Sequence, residues 1–373
     1  MANQGVPSYI PTLDGWRAVA IVAVMASHSR QLLGNRGGVA NQFGEAALHF
    51  LGLGVDLFFA ISGFLITRLL VQEWNSSGTF DLKGFYIRRL FRILPLIVVY
   101  LSVLALATLC APGLAARWEF VATLLFARNY LMYRTGGWGA TGQFWSLSVE
   151  EHFYLFWPPI LALLGQKKAL RAALVLVVCI TLWRAVDTRA HIFARFFTDA
   201  GVFFRSDTRC DSLLLGAIPA LLWDKTQSFV AWFRSFPLTA LILVLLVLAV
   251  AERVPALPTV LALLFSFLVM STVFRPSPAA RALLEARPMR WLGRLSYSLY
   301  VWQNLFLQVR PVSFSWRAVD SSRGHLFLAY ALDLGLIFGC ALFTNRMVEE
   351  PMRRKGRELA RLRAETRPLR PAH

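Results

Sequence analysis

Long apolar runs separated by short polar segments make up most of the chain. A helix that crosses a membrane needs about 20 mostly apolar residues, and ten runs approach that length. They are residues 16–33, 49–71, 92–112, 146–165, 169–186, 209–224, 236–252, 256–274, 292–311 and 326–346. The pattern predicts an all-α fold, a polytopic bundle of about ten transmembrane helices. A further apolar stretch, 118–131, is too short to span and predicts a re-entrant or interfacial segment.

Lys and Arg residues between the runs indicate an orientation. Cytoplasmic loops of membrane proteins carry an excess of positive charge. In the predicted bundle, most Lys and Arg residues fall in the connections on the same side of the membrane as the N-terminus. If residues 118–131 also crossed, Lys167, Lys168 and the basic C-terminus would lie on the opposite side. We therefore predict cytoplasmic N- and C-termini, one membrane domain over residues 1–351 and a solvated basic cytoplasmic tail over 352–373.

Composition supports a membrane protein over other classes. Hydrophobic residues make up 57% and charged residues 16% of the 373 residues, whereas soluble domains are about 45–50% apolar and about 25% charged. The net charge is +18, and the basic residues that cause it lie mostly between the apolar runs. Membrane topology therefore explains this charge better than a nucleic-acid partner does. The four cysteines show no CxxC spacing, which predicts neither a zinc site nor a disulfide framework. We expect no metal.

The first predicted span holds Arg17 and His28, eleven residues apart. At about 100° per residue both lie on one helix face, separated by a rise of about 16 Å. If Arg17 sits at the cytoplasmic edge, His28 lies near the middle of the membrane. His28 could be a structural residue bonded to a neighbouring helix. It could also be a general base, because histidine titrates near neutral pH.

Three arginines, Arg88, Arg89 and Arg92, precede the third span. They could be a positive-inside anchor. However, Arg89 and Arg92 are three residues apart, so both guanidinium groups can face one polyanion. Arginine suits bidentate phosphate contacts.

Adjacent carboxylates, Glu150 and Glu151, lie about one turn inside an aromatic-rich span that follows a glycine-rich loop. Two ions there are costly unless they are paired, protonated or hydrated. One glutamate could pair with a buried arginine, or the two could line a cavity that opens on the non-cytoplasmic side. Asp56 in the second span leaves the same two alternatives, a structural ion pair or a functional role.

Seven segments together resemble the membrane-bound acyltransferase 3 family of bacterial O-acyltransferases. Between about residues 9 and 351 they are LDGWRAVAIVAVMASH, GVDLFFAISGFLI, YIRRLFRILP, FWSLSVEEHFYLFWP, RCDSLLLGAI, LGRLSYSLYVWQN and VEEP. The resemblance implies transfer of an acyl group, acetyl or another short acyl, from acyl-CoA to a hydroxyl of a sugar-bearing acceptor at the bacterial inner membrane.

The resemblance also implies site residues. The family's Arg-x10-His motif falls on Arg17 and His28, and its Arg-x-x-Arg motif on the arginine pair described above. Its Ser-Leu-x-x-Glu-Glu block begins at Ser146. His152 and Gln303 depart from the family pattern, where Gln and His are usual.

We therefore assign catalytic roles to His28, Arg17, Glu150 and Glu151. We assign acyl-CoA binding to Arg88, Arg89 and Arg92, and substrate binding to Asp56, Ser146 and Ser148. Two other functions fit intramembrane arginine and glutamate: a transporter or flippase with an Arg-His-Glu relay, and a polysaccharide ligase or polymerase. Release of CoA by the purified protein would distinguish acyl transfer from these two functions.

Overall fold

The fold was analysed in a computed structural model, which describes residues 9–29, 32, 44, 51–131, 139–196, 201–223, 257–274 and 277–365. Every regular element in these ranges is helical. In chain order they are α1 Pro11–Ser27, α2 Gly54–Ser77, α3 Leu82–Cys110, α4 Arg117–Leu124, α5 Phe144–Ala190, α6 Ile192–Phe196, α7 Ser206–Leu221, α8 Leu257–Phe274, α9 Pro278–Leu284, α10 Arg287–Leu307, α11 Phe314–Arg317, α12 Arg323–Thr344, a π-helical segment Asn345–Glu349, and α13 Glu350–Glu365. The predicted all-α class is confirmed.

Helices in the described ranges are long and apolar enough to cross a membrane in four places. These are α2, α3, α5 and the continuous stretch Arg323–Glu365. The pair α8 and α9, bent by 100°, makes a fifth if it counts as one broken span. The predicted span 236–252 lies outside the described residues. A total of about ten spans and the cytoplasmic termini remain predictions.

Helix α1 is shifted toward the N-terminus relative to the predicted 16–33. Proline at the first helical position starts it at Pro11, where a missing N–H carries no penalty. At the other end the Ser27 and Ser29 hydroxyls donate to the carbonyls of Val24 and Met25, at 2.7 and 2.9 Å. These bonds satisfy carbonyls that the helix leaves open. His28 follows directly as the C-terminal cap.

Helix α3 begins ten residues before the predicted start at 92. The Asp81 side chain caps it by accepting a hydrogen bond from the Gly84 amide at 3.1 Å, which is a common helix start. A hydropathy criterion misses such a start because the first turns are polar. Arg88, Arg89 and Arg92 are consequently helical residues.

Helix α5 contains both predicted spans 146–165 and 169–186, joined at Gly165. The backbone there has φ 67° and ψ 167°, a conformation open to glycine and strained for other residues. The two spans are therefore separated by a glycine break without any intervening loop.

The tail predicted to begin at residue 352 is helical as far as Glu365. Helix α13 lies against α3, and Gly356 faces the Phe91 side chain so closely that a Cβ would come within 2.6 Å of it. Ala360, one turn later, is also buried. Small residues allow this close approach, so residues 350–365 form a helix that lies against α3.

The chain divides into two compact units, each formed by three segments. Unit 1 contains Met1–Arg68, Gln166–Arg195 and Asp207–Ser296. Its core joins α1, α2, α7 and α8 through buried aliphatic and aromatic side chains, among them Leu13, Leu57, Ile61, Phe64, Leu261, Phe265 and Val269. Gly63 faces the Leu213 backbone and Gly216 faces the Ala60 backbone, with no room for a Cβ at either position. These glycines allow α2 and α7 to pack closely.

Unit 2 contains Leu69–Gly165, Phe196–Ser206 and Tyr297–His373. Its core includes Tyr100, whose ring packs edge-on against Phe144 and Trp302 at centroid distances of 5.3 and 5.4 Å. The Trp302 indole N–H donates to the Thr344 hydroxyl at 3.1 Å. These contacts join α3, α5, α10 and α12 around one aromatic centre.

Candidate functional site

The arginine pair of α3 and the glutamate pair of α5 meet within unit 2. The Arg89 guanidinium lies 4.0 Å from the centroid of the Tyr154 ring, a cation–π geometry. The Tyr154 hydroxyl donates to Glu150 Oε2 at 3.0 Å. One tyrosine thus links a predicted donor-binding residue to a predicted catalytic residue.

Glu151 lies in the electrostatic field of both arginines and of its neighbour. Arg89 and Arg92 attract its charge, and Glu150 repels it. Its Oε1 atom is buried and has no hydrogen-bond partner among the described residues. We call Arg89, Arg92, Glu150, Glu151 and Tyr154 the Arg–Glu cluster. The cluster brings guanidinium and carboxyl groups of α3 and α5 together, and one buried carboxyl oxygen is left to bind another group.

Helix α10 and the π-helical segment add residues to the same neighbourhood that the sequence did not assign. Tyr297 donates to the Ile93 carbonyl at 2.7 Å and lies in the field of Glu151 and Arg92. Glu349 accepts hydrogen bonds from Ser298 at 2.7 Å and Asn345 at 3.0 Å. π-Helical turns are frequent at functional sites. In the sequence, the segment LSYSLY contains Tyr297 and Ser298, and the segment VEEP contains Glu349. Neither segment indicates which residues become its neighbours in the fold.

We expect Glu151→Gln to lower turnover strongly, with Glu150→Gln having a smaller effect. Glutamine keeps the size and removes the acidic group that lies near Arg89 and Arg92. The assay is product formation by purified protein whose insertion and thermal unfolding are unchanged. Glu350→Gln, at the exposed start of α13, is the matched control. Full turnover in both site variants would make the pair structural.

Ser146 and Ser148, predicted to bind substrate, make hydrogen bonds within the bundle. The Ser146 hydroxyl lies 2.5 Å from the Tyr300 hydroxyl, and Tyr300 donates to the Gln143 carbonyl at 2.9 Å. Ser148 donates to the Phe144 carbonyl at 2.8 Å. These contacts join α5 to α10 and satisfy both hydroxyls, so substrate binding by either serine stays a prediction.

Asp56 forms a buried ion pair in unit 1. Its Oδ1 lies 2.7 Å from an Arg209 guanidinium nitrogen, and both side chains are only 6% exposed. The same guanidinium lies 5.7 Å from the centroid of the Phe59 ring. Of the two alternatives that the sequence left open, the geometry matches the structural ion pair between α2 and α7.

We expect Asp56→Ala to destabilise the protein by about 3–5 kcal/mol, because it leaves a buried guanidinium without its counter-charge. Thermal unfolding of the purified protein measures the effect. The double variant Asp56→Leu with Arg209→Met should recover most of the loss, since apolar residues of similar volume remove both charges. A double variant as unstable as the single one would contradict this account.

His28 and Arg17 lie on helix α1 in unit 1. His28 is half-buried at the C-terminal end of the helix, and Arg17 lies 3.9 Å from the Asp14 carboxylate one turn earlier. The rise of about 16 Å between them rules out direct contact along the helix. The structure fixes these positions, and the roles of both residues stay predictions.

No group of three or more His, Cys, Asp or Glu side chains in the described part of the chain could hold a metal ion. Arg89 and Arg92 of the Arg–Glu cluster are positive charges that could bind a ligand phosphate. Arg88, the third arginine predicted to bind the donor, precedes Arg89 on α3. An anionic ligand is therefore the class that this cluster can hold.

Comparison with known proteins gives a family. A family model described as an acyltransferase domain matches residues 10–341. The peptidoglycan O-acetyltransferase OatA of Listeria monocytogenes is 26% identical over 372 residues, which cover 93% of this chain and 56% of OatA. A Staphylococcus aureus (strain COL) protein named "Putative O-acetyltransferase SACOL0978" is 28% identical over 376 residues, with 93% and 58% covered.

The chain spans less than three fifths of the length of these relatives. No solved structure matches it. The family match covers most of the chain and includes α1, the arginine pair, the glutamate pair and α10. The chain therefore belongs to the acyltransferase 3 family that its sequence segments resemble.

Proposed function

We propose that the protein is an integral membrane O-acyltransferase that moves an acetyl or other short acyl group from acyl-CoA to a hydroxyl of a sugar-containing acceptor. The observation that carries the proposal is the Arg–Glu cluster in a chain of this family, since it places two guanidinium groups beside two carboxylates. OatA is named a peptidoglycan O-acetyltransferase, and the Staphylococcus aureus relative is named a "Putative O-acetyltransferase". The proposed location is the bacterial inner membrane.

Arg89 and Arg92 bind the phosphates of CoA in this proposal, with Arg88 beside them. They are one turn apart on α3, so both can face one polyanion. Arginine donates through a planar fork that matches phosphate oxygens. Tyr154 holds the Arg89 guanidinium by its ring face, which orients the fork before the ligand arrives.

His28 acts as the base. A thioester carbonyl is already activated, so the slow step is to make the acceptor hydroxyl nucleophilic. The neutral imidazole takes the hydroxyl proton while the oxygen attacks the carbonyl carbon. The carbon–sulfur bond then breaks, and CoA leaves with the sulfur and receives a proton. Such general-base assistance typically contributes about 10²–10⁴-fold.

The glutamates and Arg17 position the reactants. Glu150 is oriented by Tyr154, and the open Oε1 of Glu151 can accept a hydrogen bond from a substrate hydroxyl. Arg17 supplies a positive charge about 16 Å from His28 along α1, where it can bind CoA or a carboxylate.

Release of CoA tests this function. Purified protein in nanodiscs, given acetyl-CoA and envelope glycan, should release CoA and form a base-labile acetyl ester. A flippase or a ligase would move or join glycan without releasing CoA, so that result would replace the proposed function.

A further inference from the structure

A second polar group in unit 2 contains Asn129, His152 and Ser206, from three separate segments. His152 Nδ1 lies 2.6 Å from the Ser206 hydroxyl oxygen. The Asn129 side-chain amide donates to the same oxygen at 2.9 Å. His152 follows Glu151 on α5, so the two side chains leave the helix about 100° apart. This polar group is therefore separate from the Arg–Glu cluster.

The hydrogen bond at Nδ1 ties one nitrogen of the His152 ring to Ser206. Ser206 Oγ accepts from the Asn129 amide and shares a hydrogen bond with Nδ1, so Nε2 is the ring nitrogen that can face a ligand. When the Ser206 hydroxyl donates to Nδ1, Nε2 carries the hydrogen of the neutral imidazole. The half-buried ring can then present one N–H donor.

Asn129 also presents an acceptor. Its side chain is 0% exposed, and its Oδ1 atom has no hydrogen-bond partner within the described residues. A buried amide oxygen without a donor is rare in folded proteins and calls for an explanation such as a ligand. The donor that it lacks must come from a group that can enter this part of the unit.

Aromatic rings lie on the segments that carry the polar group. The Tyr130 ring lies 6.1 Å from the His152 ring, centroid to centroid. Trp145 lies two turns before His152 on the same face of α5 and packs edge-on against Phe204 at 5.0 Å. An N–H donor, an amide acceptor and aromatic faces together match a sugar ring, which has hydroxyls at its rim and an apolar C–H face.

We propose that Asn129, His152 and Ser206 form a subsite for one ring of the sugar acceptor. Asn129 Oδ1 accepts from one sugar hydroxyl, and His152 Nε2–H donates to another. Ser206 is a positioning residue that holds the imidazole ring through Nδ1. The inference rests on the proposed function for its acceptor class. It assigns a role to the histidine that stands where the family pattern has glutamine.

The test compares Asn129→Leu and His152→Phe with the wild-type full chain in nanodiscs. Both variants keep the approximate shape of the side chain and remove its hydrogen bonds. With acetyl-CoA as donor and a panel of hexose, N-acetylhexosamine and uronic acid oligosaccharides as acceptors, we expect the acceptor KM to rise at least tenfold. We expect the KM for acetyl-CoA and the CoA release without acceptor to stay within twofold. His152→Gln should fall between wild type and His152→Phe, because its amide can restore one donor.

His325→Phe, an exposed histidine near the start of α12, is the matched control and should change neither KM. An unchanged acceptor KM in Asn129→Leu and His152→Phe would overturn the subsite. An equal rise in the KM for acetyl-CoA would also overturn it, because the residues would then be general supports of the fold.

Binding of the oligosaccharides without any donor, followed by tryptophan fluorescence, separates this inference from the proposed function. Binding by wild type that both variants lose supports the subsite even if no acyl group is transferred. Absence of binding to every sugar in the panel overturns the subsite, whether or not CoA is released with another acceptor.

Discussion

Replacing His28 with alanine should abolish acyl transfer while leaving membrane insertion and acyl-CoA binding nearly intact. The expected loss is about 10²–10⁴-fold, the usual contribution of a positioned general base. His28 stands at the end of α1 and is not part of the helix interior, so its removal should disturb packing little. Acetyl ester formed by the purified variant, with acetyl-CoA affinity measured in parallel, gives the result.

His325→Ala, which removes an exposed histidine, is the control and should keep wild-type transfer. Incubation with radiolabelled acetyl-CoA and no acceptor separates two routes. Label retained on His28 indicates an acyl-imidazole intermediate, and its absence indicates direct transfer with His28 as base. Near-normal product from His28→Ala in cells would contradict the assignment, because both routes need this residue.

The second large effect concerns Arg89 and Arg92. Each should contribute about 1.5–3 kcal/mol to acyl-CoA binding through charged hydrogen bonds, so either alanine variant should weaken affinity by about tenfold or more. Lysine should rescue only in part, because it lacks the planar fork. At Arg89 the rescue should be poorer still, since the guanidinium also lies over the Tyr154 ring. Equilibrium binding of acetyl-CoA measures these differences.

Tyr154→Phe separates the two contacts of this tyrosine. It keeps the ring beneath Arg89 and removes the hydrogen bond to Glu150. We expect acetyl-CoA affinity to be retained and turnover to fall. Arg354→Ala, in the exposed pair of α13, controls for the loss of one positive charge. Wild-type affinity in both Arg89→Ala and Arg92→Ala would make these residues topological anchors only.

Much of the fold follows from the apolar pattern. The helical class is confirmed, helix α5 covers the two apolar runs on either side of Gly165, and α4 covers part of the run 118–131. The starts of α1 and α3 do not follow from that pattern, because Pro11 and Asp81 act through backbone geometry and capping. Average hydropathy over a window of residues contains no such information.

The sequence alone does not show which residues that are distant in the chain contact each other. The sequence marked Arg89 and Glu150 separately, whereas Tyr154 joins them. It left the partner of Asp56 open, and the structure identifies Arg209, 153 residues away. Such pairs depend on which helices become neighbours, and one sequence without an alignment does not specify this. Glu349 was missed for the same reason, since its partner Ser298 lies on another helix.

The most direct test of the central claim follows both products of one reaction. Purified full chain in nanodiscs receives radiolabelled acetyl-CoA and glycan from the cell envelope, and free CoA and glycan-bound label are measured together. The account predicts equal amounts of CoA and base-labile acetyl ester, and neither product above background with His28→Ala. Movement of glycan across the membrane without CoA release or ester formation would contradict it.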